Sequence, residues 1–491
     1  MNIDIIPDLH LRPYETIKSV VMPPARKLTH LPSSLEQFLR LTRATTTAEI
    51  GKNGPSIASL SFETDQPSPD NLRLYEVEFG RDALRVAIEP EILQSYPNLA
   101  KNTILSLARL QGLTYNQSRE EEPGRIVHEV RDKNDPIARD LSQRLGWGWP
   151  YYGSVDATPE FIRTMAAYCK LSPENRQFLF QSYEDKNGTS RIMADSLTFA
   201  VDWISNRLNA NPEGLLEFKS VLPKGIENQV WKDSWDAYHH SDGTLANHRK
   251  GIASIEVQVS TYDALLEAAD LYDILNRTDA ATKLRVRAAS LRQTIFDIFW
   301  TDDKGGYFVL GTDRDGNNKL RPMNIRTSNM GHALDSRILE GDDPDVIDKR
   351  HKIVNQLLSP EMLNVSGIRT LASDEILYRP GAYHNGSVWT FDTHKIALGM
   401  YRHGFTTQAT QLDDCSLNVV VSTHAFPEYT RGDHAPIPRT NKYIIDLYDT
   451  RAGRINRIEQ PPQEVQAWTV AAILAIKIRR GRDAHELLHL K

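Results

Sequence analysis

The feature that most constrains this chain is a succession of apolar stripes at helical spacing, each bounded by segments rich in glycine, aromatic and polar residues. Leu99, Ile104, Leu107 and Ala108 form one stripe, and Gly112 follows where a left-handed cap would fall. Thr158-Pro159-Glu160 is a helix start, with an N-cap hydroxyl, a first-turn proline and an acid beside the positive end of the dipole. Phe161, Ile162, Met165 and Ala166 continue its buried face, and further stripes run through Met193, Leu197, Ala200, Val201 and Ile204, then Val257, Ala264, Leu265, Ala268 and Leu271. Helices are also predicted over 281–299, 347–358, 389–401 with Gly404 closing it, and 465–478. Helices arriving roughly every 30 to 40 residues, with no textual repeat, are the pattern of a ring of helical hairpins. Strand-like runs are few: residues 305–311 read as one arm of a hairpin, with turn chemistry at Asp313 to Asn317.

A chain of 491 residues accommodates several average domains or one large barrel, and its 40% apolar content is enough for a core. The segment Thr45 to Asp70 is rich in Thr, Ser, Pro and Gly, so residues 1–70 are predicted to be an irregular lead-in, 71–482 the helical barrel and 483–491 a tail. The net charge of −6 argues against a nucleic-acid partner, because that affinity would come from clustered Lys and Arg; the one short basic run, Lys477 to Arg482, reads as a solvated helix end. Cys169 and Cys415 sit among apolar residues and are expected to be buried free thiols. The N-terminus has no basic leader, and no segment approaches the roughly 20 uninterrupted apolar residues of a membrane span, so a soluble cytoplasmic protein is expected. His239 and His240 are adjacent and no His-Glu-X-X-His pattern occurs, so neither metal nor cofactor is expected. Nothing in the sequence reports oligomeric state.

The chemistry gathers at the ends of the helices, where function usually lives. Trp231-Lys232-Asp233-Ser234-Trp235-Asp236 sets two carboxylates beside two indoles. Indole faces stack on sugar rings, and a carboxyl sheltered by them loses hydration and holds a proton near neutral pH. Glu78 to Leu84 carries the pair Arg81 and Asp82; Gly146 to Asp156 interleaves Trp147, Trp149, Tyr151 and Tyr152 with glycines; Tyr383 to Trp389 and Phe426-Pro427-Glu428-Tyr429 complete the set. Five such segments spread along the chain suggest one carbohydrate pocket built from many loops at one rim of a barrel.

These segments, in their order, resemble the six-hairpin α-toroid glycosidases. The likeness is greatest to the amylo-α-1,6-glucosidase or bacterial debranching-type family, related to trehalase, processing α-glucosidase and glucosylglycerate hydrolase. The matching motifs are Phe79-Gly80-Arg81-Asp82, Glu122 to Glu129, Tyr152 to Pro159, Asn228 to Ser234, Glu256-Val257-Gln258, Thr327 to His332, Tyr383 to Trp389 and Gln466-Ala467-Trp468. The resemblance implies an all-α (α/α)6 toroid with small β-hairpin insertions. It also implies an exo-acting, inverting α-glucosidase in which one carboxylic acid protonates the leaving oxygen and an opposing carboxylate activates water. Asp236 is the preferred acid by analogy with trehalase-like enzymes, with Asp233 as its competitor in the debranching-type Trp-Lys-Asp-Ser pattern. Glu428 is the preferred base, with Glu459 and Glu464 as competitors. Arg81 and Asp82 would bind the sugar hydroxyls. Asp156, Trp231, Lys232, Gln258, His384, Asn385 and Trp389 are further substrate-binding candidates, and Trp149, Tyr151 and Tyr152, with Trp147, would form a hydrophobic wall.

Many relatives carry a β-rich domain ahead of the barrel. The short lead-in here favours a short glucosyl oligosaccharide or a glucosylated small solute over a glycogen-like glucan. The loop Arg431 to Pro436 would close over the aglycone, with His434 and Arg439 recognising an acidic or polyol leaving group. A sugar epimerase on the same toroid is the alternative, using a histidine among His128, His332, His384 and His424.

Overall fold

The computed structural model describes residues 77–433, 443–449, 454–460, 462 and 465–481. Its helices are α1 (Gly80–Ile88), α2 (Pro90–Ser95), α3 (Pro97–Arg109), α4 (Pro136–Leu145), α5 (Ala157–Lys170), α6 (Met193–Ala210), α7 (Ile255–Ile274), α8 (Thr278–Phe299), α9 (Pro344–Leu357), α10 (Thr390–Arg402), α11 (Thr406–Thr423) and α12 (Ala467–Arg479). The strands are short and antiparallel: β1 (Ser182–Glu184) with β2 (Ser190–Ile192), β4 (Trp300–Thr301) with β5 (Tyr307–Phe308), β8 (Leu363–Asn364) with β9 (Gly367–Ile368), and β10 (Tyr443–Asp449) with β11 (Arg454–Gln460). A three-stranded sheet joins β3 (Ala253–Ser254), β6 (Gly311–Arg314) and β7 (Leu320–Pro322).

The helices close into a ring. α1 packs on α5, α5 on α7, α7 on a 3-10 segment at Ser328–Ala333, that segment on α10, α10 on α12, and α12 back on α1. The returning arms α3, α6, α8, α9 and α11 lie outside them, which makes the fold an (α/α)6 toroid with small β insertions. Sequence decides which helix goes where. In α12 every residue from Ala467 to Ile476 is buried, and α7 is buried nearly all round, as helices walled in by neighbours must be. By contrast α8 buries only Ala281, Leu284, Ala288, Leu291, Ile295 and Phe299, a single stripe that suits an outer position.

Local signals agree with the observed ends. Asp135 accepts hydrogen bonds from the backbone of Ile137 and Ala138 at the start of α4, and Gly146 ends it at φ 78°. Gly404 takes φ 81° after α10, as its position in the sequence predicts. The helix predicted to begin at Thr158 begins at Ala157, with Asp156 at the N-cap. The predicted hairpin arm at 305–311 is corrected. Tyr307–Phe308 turns back on Trp300–Thr301, while the next strand starts at Gly311 and runs through Asp313 and Arg314. The turn falls later, where Asp315 accepts from the backbone N–H groups of Asn317 and Lys319. Both cysteines are free; Cys169 is buried in α5, but Cys415 in α11 is only partly so.

The predicted lead-in 1–70, the tail 483–491, and Glu464, His434 and Arg439 lie outside the described residues, as does the side chain of Glu459. Among the described residues no helix is long and apolar enough to cross a membrane.

Candidate active site

The inner segments of the ring all start at one rim. Arg81 in the first turn of α1 pairs with Asp156, the N-cap of α5, at 3.3 Å. Glu256 in the first turn of α7 accepts a hydrogen bond at 2.8 Å from Asn329, in the first turn of the 3-10 segment. Trp389 is the N-cap of α10 and Gln466 that of α12, where the Gln466 amide oxygen accepts from the N–H groups of Trp468 and Thr469. The loops that enter these helices therefore converge, and unpaired backbone N–H groups give the rim a positive bias.

A cavity of about 70 Å³ opens there, lined by Phe79, Arg81, Asp82, His128, Trp231, Asp233, Tyr383, Trp389, Glu428, Gln466 and Trp468. Its floor is aromatic. Trp231 meets Trp389 edge-on at 5.9 Å and Phe391 at 5.2 Å, and Phe391 packs on Trp468 at 4.1 Å. Two carboxylates of different character face the space above. Burial pushes the Asp233 carboxyl up to about 7; Arg81 draws it down, but Asp82 and Asp156 push it up again. Glu428 is buried and accepts a hydrogen bond from the Tyr383 hydroxyl. Arg81 stays charged because Asp156, Asp233 and Asp82 together outweigh the cost of its burial.

Of the residues singled out from the sequence, the cavity brings together Arg81, Asp82, His128, Trp231, Asp233, Trp389 and Glu428. Asp236, the preferred acid, is not among its lining residues; its carboxylate holds Arg379 at 2.7 Å, and its backbone carbonyl accepts from Asn385 at 2.8 Å. Several others stand one shell behind the wall. Asp156 holds Arg81. Lys232 donates to the Thr370 carbonyl at 2.6 Å beside the Trp231 ring. His384 stacks on Trp389 at 5.2 Å and accepts from the Ser234 N–H.

The expected hydrophobic wall is instead framework. Tyr152 donates to the Leu110 carbonyl at 2.5 Å, Tyr151 bonds Glu120 and stacks on Trp147, and the Trp149 indole donates to the Ala138 carbonyl. Gln258 clamps the backbone of Leu216, its oxygen accepting from the N–H and its nitrogen donating to the C=O, both at 2.9 Å. These polar handles are consumed within the fold, and none of the four residues lines the cavity.

Of the four histidines named from the sequence, only His128 lines the cavity. Burial, then the charges of neighbouring cations, keeps His128 and His384 neutral. His332 is engaged by Asp392 at 2.6 Å, and His424 is exposed at the left-handed end of α11. Phe79, Tyr383, Gln466 and Trp468 line the cavity without having been assigned site roles from the sequence. All four lie in the quoted motifs, and only Gln466, a capping amide ahead of an unbroken apolar run, carried a local signal of a helix start at the rim.

Comparison with known proteins agrees with this architecture. The mannosylglycerate hydrolase of Thermus thermophilus in complex with Tris aligns at TM-score 0.58 and 14% identity, covering 91% of this chain and 100% of that one. The same hydrolase in complex with glucose aligns at TM-score 0.54 and 15% identity, with the same coverage. At that identity the likeness speaks for the fold. A search of curated proteins finds no match. The model of the mannosylglycerate hydrolase MGH1-like glycoside hydrolase domain matches residues 154–443, more than half of the chain. The six-hairpin relationship expected from the motifs therefore holds, through a family named for mannosylglycerate hydrolase and not for a debranching enzyme. The chain is a glycoside hydrolase and belongs to the MGH1-like family.

Proposed function

We propose that this protein is an inverting α-glycosidase that cleaves a single hexosyl unit from a small polar aglycone, with Asp233 as general acid and Glu428 as general base. The observation that carries the reading is that both carboxylates line one aromatic-floored cavity, while the Asp233 carboxyl is held protonated up to about pH 7. In the reaction Asp233 gives its proton to the glycosidic oxygen as the bond breaks, and Glu428 takes a proton from a water that attacks the anomeric carbon from the opposite face. The Tyr383 hydroxyl orients the Glu428 carboxylate. Trp231 and Trp389 supply the stacking surface, and Arg81 and Asp82 hydrogen-bond the hexose hydroxyls. The Trp231 indole N–H finds no acceptor among the described residues, and a sugar hydroxyl would supply one.

The small aglycone is supported by the matched family, named for mannosylglycerate hydrolase, and by related structures that hold Tris, glucose or D-glycerate. A mannosyl or glucosyl glycerate is therefore the first substrate to test, ahead of maltose, isomaltose, trehalose and glycogen. Proton NMR of the fresh reaction reads both questions at once. The proposal expects release of the β-hexose from an α-glycoside of glycerate; release of the α-anomer would overturn the inverting mechanism, and turnover of glycogen alone would overturn the small-solute reading.

A further inference from the structure

A second and larger cavity, about 320 Å³, lies within the ring beneath the aromatic floor, and Trp468 and Phe391 form part of its wall. It is lined from α1, α2, α5, α7, α10 and α12, and charge is unusually dense there for a helical interior. Each acid on its wall already has a cation. Glu160 and Glu267 face Arg163 at 3.2 and 3.7 Å. Asp335 faces Lys395 at 2.8 Å and Arg402 at 3.5 Å. Glu89 faces His394 at 3.1 Å; burial opposes the charge on that imidazole, but Glu89 and Asp413 carry its pKa up to about 9.

Arg85 is left over. Its Nε and Nη1 are buried with no hydrogen-bond partner, no carboxylate oxygen among the described residues comes within contact ion-pair distance of it, and its guanidinium lies 5.5 Å from the centre of the Phe391 ring. Glu160 acts on Arg85 through space but gives it no hydrogen bond; guanidinium nitrogens held from water without an acceptor are costly, whereas their fixed fork matches a carboxylate or tetrahedral oxyanion. We propose that this second cavity is a binding site for a small oxyanion, inorganic or carboxylate, with Arg85 as its principal partner and Lys395 and Arg402 lining the same space. Sharing Trp468 with the catalytic cavity and touching its Trp231 through Phe391, the site is placed to act on the floor under the sugar.

The test uses the full chain titrated with inorganic phosphate in one arm and lactate in the other, followed by calorimetry and thermal unfolding. Saturable binding in either arm is expected, phosphate alone identifying an inorganic ligand and lactate alone a carboxylate. Arg85→Gln should weaken it by about tenfold or more, while Asp233→Asn and the surface control Arg144→Gln leave it unchanged. A non-saturating rise in Tm shared equally by the Arg85 variant would be general salt stabilisation and would overturn the site. Should Arg85→Gln not fold, Arg85→Lys, which keeps the charge and loses the fork, takes its place: weaker binding of whichever anion the wild type holds supports the proposal, and unchanged binding refutes it.

Discussion

The Tyr383 hydroxyl is bonded to the Glu428 carboxylate across a junction of two loops, and the Tyr383 ring stands edge-on to Tyr429 at 5.1 Å and to Trp389 at 5.0 Å. Both ends of this contact are fixed by the aromatic floor, so the phenol aims the carboxylate without itself taking a proton. Tyr383→Phe keeps the ring and removes the donor. A fall in kcat of roughly tenfold is expected, the worth of one hydrogen bond to a charged group, with KM nearly unchanged. An unaltered kcat would show that Glu428 needs no such partner.

Asp233 and Asp236 are three residues apart in sequence but occupy different environments. Asp233 lines the cavity beside Arg81; Asp236 is tied to Arg379 and to the loop of Asn385. Asp233→Asn and Glu428→Gln should each lower kcat by about 10² to 10⁴-fold. Asp236→Asn should lower it by less than about tenfold and act mainly on stability, through the loss of the Arg379 ion pair. Comparable collapse of activity in Asp236→Asn and survival of Asp233→Asn would return the acid to Asp236.

The raised Asp233 carboxyl also sets two pH dependences. As a general acid it must be protonated, so kcat/KM should fall as pH rises through about 7, and the descending limb should vanish in Asp233→Asn. Stability follows by linkage. A free aspartate titrates near 3.9, so between about pH 4 and 7 the native state keeps a proton that the unfolded chain has released, and stability declines across that window as pH rises. Asp233→Asn is accordingly expected to raise Tm relative to wild type at pH 8 and to leave it nearly unchanged at pH 4. Thermal melts of both proteins across the range read the difference directly.

The ring was legible because inner helices must be apolar nearly all round, and stripes such as Val257 to Leu271 announce themselves. The helix α11 was not foreseen: its buried face is Ala409, Leu412, Asp413, Ser416, Val419, Val420 and Thr423, too polar and β-branched to read as a stripe. The inner 3-10 segment at Ser328–Ala333 was equally silent, since six residues carry no helical period. Loop chemistry pointed to the rim where the inner helices start but could not sort donors spent on framework from donors facing the cavity. Gln258 shows why. A buried glutamine beside a catalytic motif reads as a sugar contact until its amide is seen to bridge both backbone groups of Leu216. Gln258→Leu should therefore cost about 1 to 3 kcal/mol of stability by orphaning those groups, with KM unchanged; a raised KM at unchanged Tm would restore Gln258 to the site.

Gly80 offers the last test, because it joins the fold to the chemistry at a single atom. A β-carbon at this position would stand 2.1 Å from the carbonyl oxygen of Val127, and the Gly80 N–H is bonded to the His128 carbonyl at 2.9 Å. The obstruction is backbone, so it cannot rotate away; α1 would have to retreat from the Val127–His128 segment, carrying Arg81 and Asp82 with it. Gly80→Ala should thus lower both Tm and kcat/KM, the latter by about 10²-fold because a displacement of about 1 Å is enough to spoil a positioned site. Full activity in Gly80→Ala would mean that Arg81 and Asp82 do not hold the sugar.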